Sequence, residues 1–427
     1  MKEKKEIFII AFALFSLFFG AGNLILPPYL GFKSGELWWL VTLGFSLSAV
    51  LIPILGILAY ARIQGTMYDF GSKVSSIFSV IYCFIIYAIA IILPTPRTAS
   101  VTHEIGVAPL IGTSPLSTSI IYFTLVFFFV MNRSKIMGFI GKWLTPGILI
   151  ILALIIGNSF FSIPVDFGSN SYPNPLVDGI LEGYQTFDAI GAIVAGGVII
   201  VSVNLRFKDA GFEQKKAIIG KAGWIAGLGL LFVYTGLIFT GASFQTAFEE
   251  TIKRSSLLRG ISSISLGEGG DILLSLLVSL ACFTTAVGIV VGTADYFQSR
   301  WPKSKFIYSF TALVSCILGI LMGQFDVTKI INVAIPVLII VYPVTIVLIL
   351  LNIVPSKLNS AFIFKVVVYT TILFTIPDFL NSVGWGKSLY SFTSWIPFSN
   401  LSIGWLIPAF LSFLISNGIQ KYRGKEV

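Results

Sequence analysis

The sequence predicts an all-α, polytopic membrane protein of about twelve spans, arranged as two five-span units of opposite orientation plus two appended helices. Three observations lead there. Apolar residues make up 56% of the 427 positions and charged residues only 11%, where soluble domains carry about 25% charged; mean hydropathy is +0.93. The apolar residues fall in runs of about 20, the length of a spanning helix, and not in the short alternating segments of a barrel. Two of those runs carry a polar, glycine-containing interruption, Gly20-Ala21-Gly22-Asn23 and Gly183-Tyr184-Gln185-Thr186-Phe187-Asp188.

The runs place spans at 7–30 (broken), 36–60, 74–96, 117–131, 138–161, 177–202 (broken), 217–241, 271–297, 306–323, 330–352, 360–376 and 401–418. The first run is too long for a signal-peptide core, lacks a small-x-small cleavage site and ends in Pro27-Pro28, so it reads as a retained span. With the N-terminus inside, 21 Lys and Arg fall in cytoplasmic segments and 7, Arg97 among them, in external ones. That asymmetry puts both termini in the cytoplasm. It also accounts for the net charge of +9 without a nucleic-acid partner. One transmembrane domain then covers 1–427, with repeats at about 7–161 and 177–352 and additional helices over 360–418. The segment Gly241–Gly270, with Glu249, Glu250, Lys253, Arg254 and Arg259, reads either as an amphipathic external helix or lid, or as a solvated loop.

The interruptions carry the chemistry. Two glycines weaken a helix and the prolines after them end it. Bare backbone at membrane depth is tolerated only where protein buries it or where it lines a polar cavity. A matched pair of discontinuous helices is a mark of secondary transporters. Spans 1 and 6 each open a five-span unit and enter from opposite sides, which makes the repeat inverted by parity. The half-helix after a break offers free N–H groups to an anion, and the half before it offers carbonyls to a cation or ammonium. One such site holds both ends of a zwitterion, and its apolar wall suits an apolar side chain.

Candidate substrate-binding positions are Ala21, Gly22, Asn23, Tyr87, Tyr184, Thr186, Phe187 and Asp188. Asn23 has two readings, an ion ligand or a cap on the half-helix that follows. Asp188 has three: a cation ligand, a proton carrier, or a helix cap. In span 8, Thr284, Thr285 and the Ala281 carbonyl present oxygens suited to a hard cation, unless the hydroxyls bond back to their own helix. Glu104 is either a proton-carrying carboxylate or the partner of Arg97 and His103 near the external surface. Cys83, Cys282 and Cys316 sit in apolar runs with no disulfide spacing, and His103 is the sole histidine. No cofactor is expected beyond a coupling ion, Na+ or H+. An enzyme would need a His, Cys or Asp cluster at membrane depth, and a channel a repeated filter loop; neither pattern is present.

The stretches Phe18–Pro28, Pro96-Arg97-Thr98-Ala99 leading to Glu104–Pro109, and Gly183–Ala189 resemble the branched-chain amino acid:cation symporter family, the bacterial system II carriers of leucine, isoleucine and valine. The resemblance runs over the whole chain in span number and loop pattern. It implies a LeuT-like fold, cation-coupled uptake by alternating access, and residence in the bilayer of a bacterial cell membrane. It also implies a sodium site of the second LeuT type, built from the carbonyls of Ser16 and Phe19 with Ala281, Thr284 and Thr285. Asn23 matches a ligand of the first sodium site, but span 7 lacks the Asn that the pattern requires there. Sodium then has only the second site, and because Asp188 offers a proton route, the coupling ion stays open between sodium and a proton. A related carrier of alanine or of aromatic amino acids is the alternative cargo reading.

Overall fold

Apolar runs of span length close their backbone hydrogen bonds internally, so each forms a helix. The computed structural model describes residues 2–132, 139–162, 167–385 and 396–423, and among these every regular element is helical. Arg133, Lys135, Lys387 and Lys425, used in the charge comparison, lie outside the described residues.

Span 1 is split into α1 (Lys2–Phe18) and α2 (Ala21–Ser34). Span 2 joins α3 (Trp38–Ser46) to α4 (Ile52–Ile63) through a π-helical turn, and the short α5 (Met67–Gly71) follows. Span 3 comprises α6 (Ser76–Ile92), α7 (Pro94–Val101), a π turn at Thr102–Val107, and α8 (Ala108–Ile111). Spans 4 and 5 are α9 (Pro115–Met131) and α10 (Thr145–Ser162). Span 6 is split into α11 (Pro175–Tyr184) and α12 (Asp188–Arg206). Span 7 is α13 (Phe212–Ser243), and α14 (Arg254–Leu266) separates it from span 8, α15 (Gly270–Arg300). The last four are α16 (Lys305–Met322), α17 (Val327–Ile353), α18 (Ala361–Ser382) and α19 (Leu406–Arg423). Among the described residues, eight helical stretches are long and apolar enough to cross a membrane, and two shorter apolar helices accompany them. With α1 and α19 these fill all twelve predicted runs. Many large apolar side chains face outward, Phe161 at 92% and Phe232 at 76% exposure, as a lipid-facing surface allows.

Span 3 departs from the sequence reading. Pro94 and Pro96 do not end it; the helix bends at Leu93 and continues to Ile111. Pro94 lacks the N–H that would bond the Ala90 carbonyl, and Thr95 Oγ1 donates to that carbonyl instead at 2.7 Å. Arg97, placed in an external loop by the sequence, therefore lies inside a span and is 2% exposed.

The two broken spans run antiparallel. Arg206 at the end of α12 pairs with Glu6 at the start of α1. At the other end, Arg254 of α14 makes a bidentate pair with Glu182 of α11, both contacts 2.8 Å, and its guanidinium lies over Tyr29 of α2. The segment Gly241–Gly270 is thus partly a packed helix. Leu257 and Ile261 of α14 bury against Phe32 and Phe244, and Arg254 ties α2 to α11 at this end.

Helices α2 and α13 cross with backbone against backbone. A Cβ on Gly31 would overlap the Ile238 carbonyl, and one on Gly241 would overlap that of Pro28. Gly157, in α10, has nothing within 4 Å of its Cβ position. Gly31→Ala should destabilise the protein by about 1–3 kcal/mol, whereas Gly157→Ala should be neutral or gain up to about 1 kcal/mol from helix propensity. Thermal unfolding of the two variants in detergent checks this; equal behaviour would refute the close crossing.

Candidate functional site

Each break is built by local sequence. Gly20 takes an extended conformation, φ −119° and ψ −158°, between α1 and α2, and its N–H donates to Asn23 Oδ1 at 3.2 Å. Phe187 takes a left-handed conformation, φ 65° and ψ 14°, between α11 and α12. A bulky residue held there is strained, and such strain persists only where the surroundings impose it. Thr186 imposes part of it: its Oγ1 donates to the Gly183 carbonyl at 2.7 Å and accepts the Asp188 N–H at 3.2 Å. The Ala189 N–H donates to the Tyr342 hydroxyl at 3.1 Å.

The breaks face one another through a buried polar knot. Asn23 Nδ2 donates to Asp188 Oδ2 at 2.7 Å and also to the Tyr234 hydroxyl. Tyr234 in turn donates to the same Asp188 oxygen at 3.0 Å. Asn23, Asp188 and Tyr234 are each 2% exposed or less. Asn23 therefore caps its own break and joins span 1 to spans 6 and 7 at once. Span 7 supplies a tyrosine hydroxyl beside Asn23.

Beside the first break lies an oxygen cluster between α1 and α15. Thr284 Oγ1 is 3.1 Å from the Ser16 carbonyl, 3.0 Å from that of Ala281 and 2.9 Å from Ser16 Oγ. Thr285 Oγ1 lies 3.4 Å from the Ser16 carbonyl and 3.3 Å from that of Leu17. The hydroxyls reach across to span 1 as well as back along their own helix. The second carbonyl they bond is that of Leu17 and not the expected one of Phe19; the Phe19 ring stacks on Phe15 at 5.3 Å and Tyr234 at 6.2 Å. Gly20 makes the approach of Thr285 possible, since a Cβ there would lie 2.7 Å from Thr285 Oγ1. Closely set hydroxyl and carbonyl oxygens are ligands for a hard cation.

A cavity of about 30 Å³ lies between the breaks, room for about two waters. Its lining includes the polar side chains of Asn23, Arg97, Thr98, Thr186, Asp188 and Thr285 and the apolar ones of Leu17, Phe18, Val194, Ala195 and Ile289. A larger molecule enters only if the broken segments part from α7 and α15.

Of the positions singled out by sequence, Ala21, Asn23, Thr186, Phe187, Asp188 and Thr285 line this cavity. Gly22 lies behind it against the Arg97 guanidinium. Tyr87 stacks on Tyr296 at 4.4 Å, away from the cavity, and Tyr184 stacks on Tyr342 at 4.4 Å, bracing the second break from behind. Glu104 accepts the Val327 N–H at 2.9 Å at the start of α17, and His103 bonds Thr118 at 2.9 Å, so neither is the partner of Arg97. Sequence reasoning missed Arg97 and Tyr234. A signal for Arg97 was present: the helical, mainly uncharged stretch that continues past it to Ile111.

Over residues 3–423 the chain matches the branched-chain amino acid transport protein family. The chain belongs to that family. It is 32% identical to the branched-chain amino acid transport system 2 carrier protein of Pseudomonas aeruginosa, over 98% of this chain and 97% of that one. It is 34% identical to the branched-chain amino acid permease BrnQ of Bacillus subtilis, over 97% and 96%. These relatives are carriers and permeases by name, not enzymes. Among solved structures it is similar to Mhp1, a nucleobase-cation-symport-1 family transporter, in a closed conformation with bromovinylhydantoin bound (TM-score 0.62, 12% identity, covering 98% of this chain and 93% of that one). It is also similar to a Na+-coupled sialic acid symporter in a substrate-bound outward-open state (TM-score 0.63, 11% identity, 97% and 89%). At such identities the likeness speaks to the fold: this member of the branched-chain family has the LeuT-like architecture with broken first and sixth spans.

Removing the Tyr234 hydroxyl leaves Asp188 with one donor fewer in a site that water does not reach freely. Tyr234→Phe should lower stability by about 1–2 kcal/mol, read as a fall in the unfolding temperature of the purified protein. An unchanged value would mean that the hydroxyl does not hold Asp188.

Proposed function

We propose that the chain imports leucine, isoleucine and valine by symport with a cation, sodium, through alternating access. The observation that carries this reading is the small cavity between two broken spans, lined by both polar and apolar side chains, beside an oxygen cluster that joins α1 to α15. The polar lining residues suit the charged ends of an amino acid and the apolar ones its branched chain. The cluster of Ser16, Leu17, Ala281, Thr284 and Thr285 oxygens suits sodium. An ion there would hold α1 against α15 and so couple its own binding to closure. Spans 1–5 and 6–10 act as the two inverted repeats, with α18 and α19 appended, in the cytoplasmic membrane of a bacterium with both termini inside. In that orientation α14 is external, and the Arg254–Glu182 pair closes the outer path over the cavity. The antiparallel course of the two broken spans supports this arrangement. The family membership supports the cargo, and the sodium-coupled structural neighbour lends the ion its precedent.

A proton is the rival coupling ion, because Asp188 is a buried carboxylate that bridges the two breaks. Leucine uptake into proteoliposomes separates the two. Under a sodium gradient the wild type should accumulate leucine, and Thr284→Ala/Thr285→Ala should lose at least about 90% of that uptake, since each lost ion ligand costs on the order of 1–3 kcal/mol. Competition by isoleucine and valine, and little by alanine or phenylalanine, fixes the cargo. Uptake driven by a proton gradient alone and unaffected by the double substitution would contradict the sodium site and move the coupling to Asp188.

A further inference from the structure

Arg97 is a buried cation that the reading so far does not use. It stands in the wall of the cavity on α7, with residues of both breaks around it. One guanidinium nitrogen, Nη1, donates to the Gln185 carbonyl at 2.7 Å, and the group lies over the Phe187 ring, 5.0 Å from its centroid. Its Nε has no hydrogen-bond partner, and among the described residues no carboxylate lies within ion-pair distance of it. Gly22 admits it: a Cβ at that position would collide with the guanidinium.

A charge buried at membrane depth without a counter-ion is costly and is retained where it has work to do. Bracing the second break is one task, but it needs only the one N–H on Gln185. Three backbone donors near the breaks already have partners, while among the described residues no partner is shown for the Ala21, Gly22 and Asn23 N–H groups that open α2. The Gly20 N–H is bound by Asn23, the Asp188 N–H by Thr186 and the Ala189 N–H by Tyr342. The strongest donor still open on the cavity wall is the Arg97 guanidinium. Asp188 lines the same cavity, so a cation and an anion stand there without pairing directly.

We propose that Arg97 receives the α-carboxylate of the substrate while Asp188 faces its ammonium group, so that the zwitterion completes a charge pair the protein holds open. This assignment rests on the amino-acid reading given above. The planar guanidinium fork matches a carboxylate in two-pronged geometry, which a lysine ammonium does not. Recognition of this kind makes the carboxylate obligatory, and Gly22 becomes part of the receptor because it lets the fork lie against α2.

The test is binding of leucine, leucinamide and 3-methylbutylamine to the purified full chain in nanodiscs, each titrated separately by thermal shift. The wild type should bind leucine about 100-fold or more tighter than leucinamide or the amine, the loss expected when a buried charge pair is left half-made. Arg97→Gln should bring leucine down to the leucinamide level, collapsing that ratio towards one, and Arg97→Lys should restore part of it. A wild type that binds leucinamide as tightly as leucine overturns the assignment. So does a folded Arg97→Gln or Arg97→Lys variant that keeps the full wild-type ratio, whatever its absolute affinity. If Arg97→Gln does not fold, the ratio in Arg97→Lys decides. Failure of the wild type to bind any branched-chain amino acid is a different result, and it overturns the transport reading itself.

Discussion

Two helices interrupted at membrane depth must be held to one another across their breaks, and the Asn23–Tyr234–Asp188 knot does this with buried side-chain hydrogen bonds. In hydrocarbon an unsatisfied polar group costs several kcal/mol, so N–H groups at each break are bonded by nearby side chains, and the knot ties the two breaks together. Asn23 caps its own break and donates to the carboxylate at the start of α12; Tyr234 binds both from span 7. Thr186 and Tyr342 take up the first N–H groups of α12. The cavity lies between the two breaks that this knot joins.

The glycines at the first break have more than one role. They interrupt the helix, and they also let side chains from two other spans come close. Gly20 lies against Thr285 of span 8, and Gly22 against Arg97 of span 3. A single four-residue motif thus brings the hydroxyl pair to one side of the break and a guanidinium to the other. Movement of α1 or α2 alters both contacts, which gives ion binding and substrate binding a shared mechanical element.

The fold was largely legible in the sequence because lipid imposes one rule on every span. Run length and apolarity located all twelve helices, and glycine with mid-span polarity located both breaks. Legibility failed where a side chain repaired a backbone fault. Pro94 and Pro96 looked like a span end, but Thr95 supplied the missing bond and the helix continued. That one error moved Arg97 from a buried position to a loop and invited its pairing with Glu104. Tyr234 was invisible for a different reason: a tyrosine in an apolar helix is common, and only the three-dimensional meeting of spans 1, 6 and 7 reveals its partners. The hydroxyl pair at Thr284 and Thr285 was legible as a local pattern, while its second partner, the Leu17 carbonyl, depended on the exact end of α1. Tyr87 and Tyr184 show the converse: aromatic residues that the sequence placed in the pocket stack on other tyrosines instead, Tyr87 on Tyr296 and Tyr184 on Tyr342.

The most direct test of this account is a double-mutant cycle on the knot, with Asn23→Ala, Asp188→Ala and the combined variant compared by thermal unfolding in lipid. A coupling of about 1 kcal/mol or more is predicted, above the roughly 0.6 kcal/mol usual for hydrogen bonds between membrane helices, because the acceptor is a carboxylate. Additivity within about 0.5 kcal/mol would contradict it, for it would mean that the two breaks are held apart from one another and that the knot does not join them.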